Sequence, residues 1–123
     1  MVVIMLEIKN LTKYYGNTIG VLDLSLNLNK GEIFGFIGPN GAGKSTTIKC
    51  IMGLIKKTSG EINTLDKQAI GYLPSEINLY DDLTVKQMLD YNETFYKKNI
   101  KEKRRYLVNK LKLDESKKIE DLS

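Results

Sequence analysis

Residues 38–46 read Gly-Pro-Asn-Gly-Ala-Gly-Lys-Ser-Thr, and no other stretch constrains the fold as tightly. Gly38, Gly43, Lys44 and Ser45 satisfy G-x-x-x-x-G-K-[ST], a phosphate cradle when a strand runs in and a helix runs out. Both flanks have that character. Ile33-Phe34-Gly35-Phe36-Ile37 is almost wholly apolar, as a central strand covered on both faces should be. Lys44 to Leu54 predicts a helix with Ile48, Ile51, Met52 and Ile55 on one face. Phosphate needs several N–H donors converging on its oxygens. A loop that opens a helix supplies them, and the helix dipole adds attraction. Gly41 and Gly43 let the backbone bend and approach the anion closely. Lys44 sets a positive charge against the terminal phosphates, and the Ser45 hydroxyl is the expected protein ligand to Mg²⁺. Thr46 is placed to donate to an inner phosphate. The dinucleotide spacing G-x-G-x-x-G is absent.

Before the loop, Met5 to Lys9 and Val21 to Leu28 alternate. Leu22, Leu24, Leu26 and Leu28 are expected on one face of a half-buried antiparallel strand, with a turn at Asn29-Lys30-Gly31. After it, Glu61-Ile62-Asn63 reads as a short strand, and Ala69 to Leu73 as a short apolar run stopped by Pro74. Thr84-Val85-Lys86-Gln87 has the capping-box pattern, so a helix is expected from Val85 with Met88, Leu89 and Tyr96 on its apolar side. A second helix is expected over 102–113, with Leu107, Val108 and Leu111 facing in.

Composition narrows the remaining classes. The 123 residues suit one modest domain, and no run approaches the ~20 apolar residues of a membrane helix. A single cysteine, Cys50, excludes an internal disulfide, and the absence of histidine removes the commonest metal ligand and general base. Net charge is +4, and Lys86 to Lys118 holds eleven Lys or Arg against five Asp or Glu. That excess fits either a solvated helical face or a surface for nucleic acid or anionic membrane. Interleaving with apolar positions favours the solvated face.

Taken together, the motifs resemble the ATP-binding subunit of ABC transporters. Gly38, Pro39, Asn40, Gly41, Ala42, Gly43, Lys44, Ser45 and Thr46 spell that family's form of the loop. Tyr14-Tyr15-Gly16 lies where such subunits carry an adenine-stacking aromatic. Gly16 fits the glycine that follows it, which points to Tyr15. Thr58-Ser59-Gly60-Glu61-Ile62 matches the turn after the first helix. Ile70 to Pro74 and Leu79 to Val85 match the lead into the helical subdomain, in wording similar to the drug, bacitracin and lantibiotic efflux branch.

The resemblance implies an α/β fold, a P-loop NTPase of ABC type. N-terminal antiparallel strands and part of the parallel core sheet would precede the start of a helical subdomain. The implied division is 1–73 as the strand-rich nucleotide-binding part with its phosphate loop at 38–45, 74–83 as linker, and 84–123 as an incomplete helical part. The implied cofactors are ATP and Mg²⁺. The implied partners are a membrane-spanning subunit and a second ATP-binding subunit, on the cytoplasmic face of a membrane, with no nucleic acid.

Departures from the pattern shape what is expected of catalysis. Ser75 stands where the family has a glutamine that touches Mg²⁺ and the attacking water, although some efflux relatives also read Leu-Pro-Ser-Glu. The stretch from Gly60 to Gly71 is short for the family's antiparallel arm. Ile119 to Ser123 resembles the approach to the signature motif, with Leu122-Ser123 its first two residues. The rest of the signature, the second Mg²⁺-linked aspartate, the catalytic glutamate and the switch histidine have no counterpart in residues 1–123. No catalytic residue is therefore assigned, and Glu76 is a poor substitute. The family's strands between the Phe34 and Tyr72 strands have no counterpart either, so both would expose edges. Two readings follow: an energy-coupling ATPase subunit represented by its N-terminal part, or a truncated, non-hydrolysing nucleotide-binding or interaction module. A nucleic-acid binder ranks last.

Overall fold

Alternating apolar residues in the first thirty positions build a long hairpin. The computed structural model describes residues 1–122, and the Ser123 half of the Leu122-Ser123 expectation lies outside them. β1 (Ile4–Tyr15) and β2 (Thr18–Asn29) pair antiparallel from Ile4↔Asn29 to Tyr15↔Thr18. A two-residue turn joins them, with Gly16 at φ 57° supplying the left-handed geometry such hairpins need. β3 (Ser59–Thr64) pairs antiparallel with the other edge of β1, giving the order β2-β1-β3.

Two bulges decide which side chains reach the core. Ile8 and Leu11 are both fully buried, yet three residues apart they would face opposite sides of a regular strand. A register shift between them adds the extra residue, and Asn10 takes φ 49°. β2 repeats the device: Leu24 pairs with Leu11, Val21 pairs with Lys13, and Asp23 takes φ 49°. The two left-handed residues hold each other, Asn10 Nδ2 donating to Asp23 Oδ1 at 2.7 Å. Their backbone N–H groups donate to Ser25 Oγ at 2.8 Å and Thr12 Oγ1 at 3.0 Å. The bulge corrects the expected leucine face. Leu24, Leu26 and Leu28 are half-buried, but Leu22 is turned out and 59% exposed, with Val21 buried in its place.

Ile8, Leu11, Val21 and Cys50 form the core, with Leu6, Leu24, Leu26, Ile51, Ile55 and Ile62 packed around it. Cys50 enters from α1 (Lys44–Ile51), which ends earlier than expected because Gly53 turns left-handed at φ 72°. Its buried side is Thr47 and Cys50, whereas Ile48 is exposed. Burial pushes the Cys50 thiol up from its ordinary pKa.

The expected parallel strands are not paired among the described residues. Ile33 to Ile37 and Ala69 to Leu73 form no strand, and Ile33 and Ile37 are fully exposed. A strand exists through hydrogen bonds to a neighbour, and no described segment offers one here. Phe34 and Phe36 meet edge to face with centroids 5.6 Å apart. The short 65–70 stretch holds a 3₁₀ turn, Lys67–Ala69, capped by Asp66 on the Gln68 N–H.

Met1–Tyr72 and the segment from Leu73 onward are two compact units. In the second, α2 (Val85–Glu93) starts on a complete capping box. The Gln87 N–H donates to Thr84 Oγ1 at 3.2 Å, and the Thr84 N–H donates to Gln87 Oε1 at 2.9 Å. Tyr96 lies beyond the helix and is exposed, correcting its expected place on the apolar side. α3 (Lys101–Lys110) turns Arg104 and Val108 inward, while Leu107 and Leu111 are exposed, contrary to expectation. The reason is electrostatic. Arg104 donates to Asp90 at 2.6 Å, Glu115 at 2.7 Å and Glu93 at 3.0 Å, tying α2, α3 and the following loop together. Backbone bonds from Val85 N–H to Lys117 and from Ile119 N–H to Leu83 bind that loop to the start of α2.

Two outcomes are expected. Gly60, at φ 89°, sits against the Asn10 bulge, where a Cβ would overlap the Asn10 carbonyl oxygen and lie 2.7 Å from its carbonyl carbon. Gly60→Ala should lower the urea midpoint of Met1–Tyr72 unfolding, a loss of more than ~1 kcal/mol. In the second unit, hydrogen bonds from Lys86 and Arg104 hold the Asp90 carboxyl below its ordinary range. A depressed acid stabilises above its unfolded pKa of about 3.9 and stops doing so as pH falls through the folded value. Acid titration by circular dichroism should therefore show α2 and α3 loosening below about pH 4, and Arg104→Met should flatten that dependence.

Candidate functional site

The loop from Gly38 to Gly43 is shaped by its own short-range bonds. Ala42 N–H donates to the Pro39 carbonyl at 3.2 Å, closing a turn in which Gly41 has φ 86°. Gly43 then takes φ 92°, ψ 9° immediately before the first helical residue of α1. A side chain there meets two obstacles. The left-handed backbone disfavours it, and a Cβ would overlap the Gly20 carbonyl oxygen and lie 2.9 Å from Val21 Cγ2. The loop is thus seated on the backbone of β2. Thr47, fully buried one turn into α1, fixes it from below: its N–H and its hydroxyl both donate to the Gly43 carbonyl, at 2.9 and 2.8 Å.

Lys44 reaches back over the loop. Its ammonium donates to the Gly38 carbonyl at 2.6 Å and the Pro39 carbonyl at 2.7 Å, short charge-assisted bonds. An ammonium has three protons, so one remains for an anion lying over the loop. Around it, the first-turn N–H groups of Lys44, Ser45 and Thr46 have no carbonyl within the helix to serve. They converge at the positive end of the α1 dipole, which suits a phosphate chain. Ser45 is exposed, whereas the Thr47 hydroxyl is already spent on Gly43. Ser45 therefore fits an ion carried in with a phosphate. Among the described residues no group of three or more His, Cys, Asp or Glu could hold a metal.

Tyr15 belongs to the same neighbourhood. Its hydroxyl shares a 3.3 Å hydrogen bond with Thr46 Oγ1, and Lys13 Nζ lies 5.0 Å from its ring centroid. A Cβ on Gly20 would lie 2.8 Å from Tyr15 Cε2. Gly20 thus leaves room for the aromatic ring, while its carbonyl lies under the loop glycine. Sequence reasoning missed Gly20 and Thr47. An isolated glycine inside an apolar strand pattern is the signal for Gly20, since it marks close backbone approach. Thr47 carried no comparable signal. Ser75 and Glu76 belong to the second unit, where both are exposed.

A family model for the ABC transporter matches residues 21–123. An uncharacterized ABC transporter ATP-binding protein of Methanocaldococcus jannaschii is 38% identical, over 96% of this chain and 46% of its own. The linearmycin resistance ATP-binding protein LnrL of Bacillus subtilis is 45% identical, over 69% of this chain and 30% of its own. The chain spans less than half the length of these curated relatives. Among solved structures, an ATP-binding subunit of an ABC transporter superposes with a TM-score of 0.82 at 29% identity, over 97% of this chain and 56% of that one. A dimeric ATP-binding cassette in a post-hydrolysis state, bound to ADP and Pi, gives 0.72 at 29% identity, over 97% and 63%.

The two glycine contacts are separable by experiment. Gly43→Ala strains the loop by about 1–3 kcal/mol and should weaken tripolyphosphate binding roughly tenfold or more by calorimetry. Gly20→Ala should shift the Tyr15 ring, changing its fluorescence, while the phosphate affinity moves much less.

Proposed function

The chain belongs to the ABC transporter family, and from that premise we propose that it carries the ATP-binding site of an energy-coupling subunit. The observation that carries this reading is the seating of Gly43 on β2, which holds the first-turn N–H groups and Lys44 around one point. In this reading the N–H groups of 41–46 wrap the β-phosphate. Lys44 gives its remaining proton to the terminal phosphates, and Thr46 donates to an inner one. Ser45 would hold Mg²⁺, which would supply positive charge to the phosphates when bound. Adenine stacks on Tyr15, displacing the Lys13 ammonium from the ring.

The role assigned to residues 1–123 is binding, and hydrolysis belongs to the whole protein. Four of the five acids in the loop's own unit are engaged elsewhere. Glu7 accepts from Asn63 and pairs with Lys9, Asp23 accepts from Asn10, Glu32 from Asn29, and Asp66 from the Gln68 N–H. None of these four is available as a base for an attacking water. The complete protein is read as a dimerising ATPase that drives a membrane-spanning partner. No helix among the described residues is itself long and apolar enough to cross a membrane. The wording at 70–85 favours an efflux system, in keeping with the names of LnrL and of a SkfA peptide export protein that is 35% identical. Two zinc import ATP-binding proteins are 43% and 41% identical over 70% and 80% of this chain, so the export reading rests on 70–85.

Lys44→Ala removes a charge-assisted contact worth about 1.5–3 kcal/mol, so ATP-Mg²⁺ affinity should fall roughly 10- to 100-fold in calorimetry. In a phosphate-release assay, purified 1–123 is expected to turn over ATP no faster than its Lys44→Ala variant. A clear Lys44-dependent rate would overturn the assignment of hydrolysis to residues outside 1–123.

A further inference from the structure

The turn after α1, Thr58-Ser59-Gly60, takes no part in the phosphate site, yet Thr58 touches the hairpin tip that carries Tyr15. β1 runs on to Tyr15, whereas its register with β3 ends at Thr12↔Ser59. Thr58 continues the ladder past that point. Its N–H donates to the Thr12 carbonyl at 2.9 Å, and its hydroxyl accepts from the Tyr14 N–H at 2.9 Å. One residue thus ties β1 on both sides of Lys13, and the second tie lies immediately before Tyr15.

The other contacts of the tip hold the ring less well. On the β2 side the register slips between Lys13↔Val21 and Tyr14↔Ile19, which leaves Gly20 without an opposite residue. Gly20 makes room for the ring but has no side chain to fix it. The bond between the Tyr15 hydroxyl and Thr46 Oγ1 is 3.3 Å, long for two hydroxyls. In the reading above, Thr46 turns to an inner phosphate once nucleotide is bound, so that bond is shared with the ligand. The Thr58 bond is not.

We propose that Thr58 is a positioning residue for the adenine platform: through the Tyr14 N–H, its hydroxyl sets where the Tyr15 ring stands beside the phosphate loop. The inference rests on the reading that adenine stacks on Tyr15. A platform ordered only when the base arrives subtracts that ordering from affinity, and a platform fixed beforehand does not. The start of α1 holds the phosphates and the turn that follows α1 holds the platform. The spacing between base and phosphate sites is therefore set within one short stretch of chain, residues 43–58.

Calorimetry of ATP-Mg²⁺ and of tripolyphosphate on the full 123-residue chain tests this. Thr58→Val keeps the side chain's shape and the N–H to Thr12 but removes the acceptor. The Tyr14 N–H lies at an exposed position where water can replace the hydroxyl, so the variant should fold. ATP affinity should fall roughly two- to tenfold, in line with the net contribution of one hydrogen bond, while tripolyphosphate affinity stays unchanged. Thr58→Ser keeps a hydroxyl and should retain ATP affinity. Tyr15→Ala should lower ATP affinity by itself, and adding Thr58→Val to it should cost nothing more, because Thr58 acts through the ring. No loss in Thr58→Val, or an equal loss for ATP and tripolyphosphate, would overturn the proposal and leave stacking on Tyr15 standing. So would a further loss from Thr58→Val in the Tyr15→Ala chain. If Tyr15→Ala itself leaves ATP affinity unchanged, the stacking reading fails and the proposal falls with it.

Discussion

The contact between Gly43 and the backbone of β2 at Gly20–Val21 is the point on which the site depends. A phosphate loop works only if its N–H groups are fixed before the anion arrives, because ordering them afterwards subtracts from affinity. Here the fixing is done by close approach rather than by long side chains. Gly43 lies where no Cβ fits, Thr47 bonds its carbonyl twice, and Cys50 on the same helix enters the core beside Val21. That arrangement depends in turn on the bulges. Without the extra residue at Asp23, Val21 and Leu24 would face opposite sides of β2, and either the core or the loop's seat would be lost. The Asn10–Asp23 hydrogen bond, far from the loop, therefore belongs to the same chain of causes.

The second unit is organised on a different principle. Val85 is its one buried hydrophobic residue among those described, so apolar burial contributes little to its cohesion. A partly buried arginine shared by three carboxylates takes that place. Such a hub specifies geometry more than it adds stability, since desolvating the charges offsets much of their attraction. It also explains why α3 has a weak apolar stripe. When the inward side is set by charge, leucines at the flank need not be covered.

Legibility in the sequence followed the range of the interaction. The phosphate-loop motif and the capping box at Thr84–Gln87 were readable because each is written within a few residues, whereas the hairpin that joins the two alternating stretches was not read. The bulges were not, although Asn10 and Asp23 are of the residue types that tolerate left-handed backbone. Period-two alternation assumes an unbroken strand, and one extra residue inverts it, as it did for Leu22. The Ile33–Ile37 run shows the other limit. Its composition states that both faces want cover, but pairing is decided by which segments lie alongside, and that is not a local property. On α3, counting apolar positions failed because Arg104 had long-range partners that periodicity does not register.

The bonds of Lys44 bear on how the loop discriminates among anions. Its ammonium is held by two carbonyls at 2.6 and 2.7 Å, so it has a fixed position and one free proton direction. A single phosphate meeting that proton gains one charge-assisted bond and the helix-end N–H groups. A polyphosphate places a second charged group near the same ammonium without breaking either carbonyl bond, so its gain is larger at no extra reorganisation. Preorganisation of this kind would favour long phosphate chains over inorganic phosphate, because the fixed ammonium meets more charge at no extra reorganisation. In the proposed reading neighbouring side chains have distinct duties: Lys44 would read charge, the exposed Ser45 would meet the accompanying ion, and the buried Thr47 holds the frame.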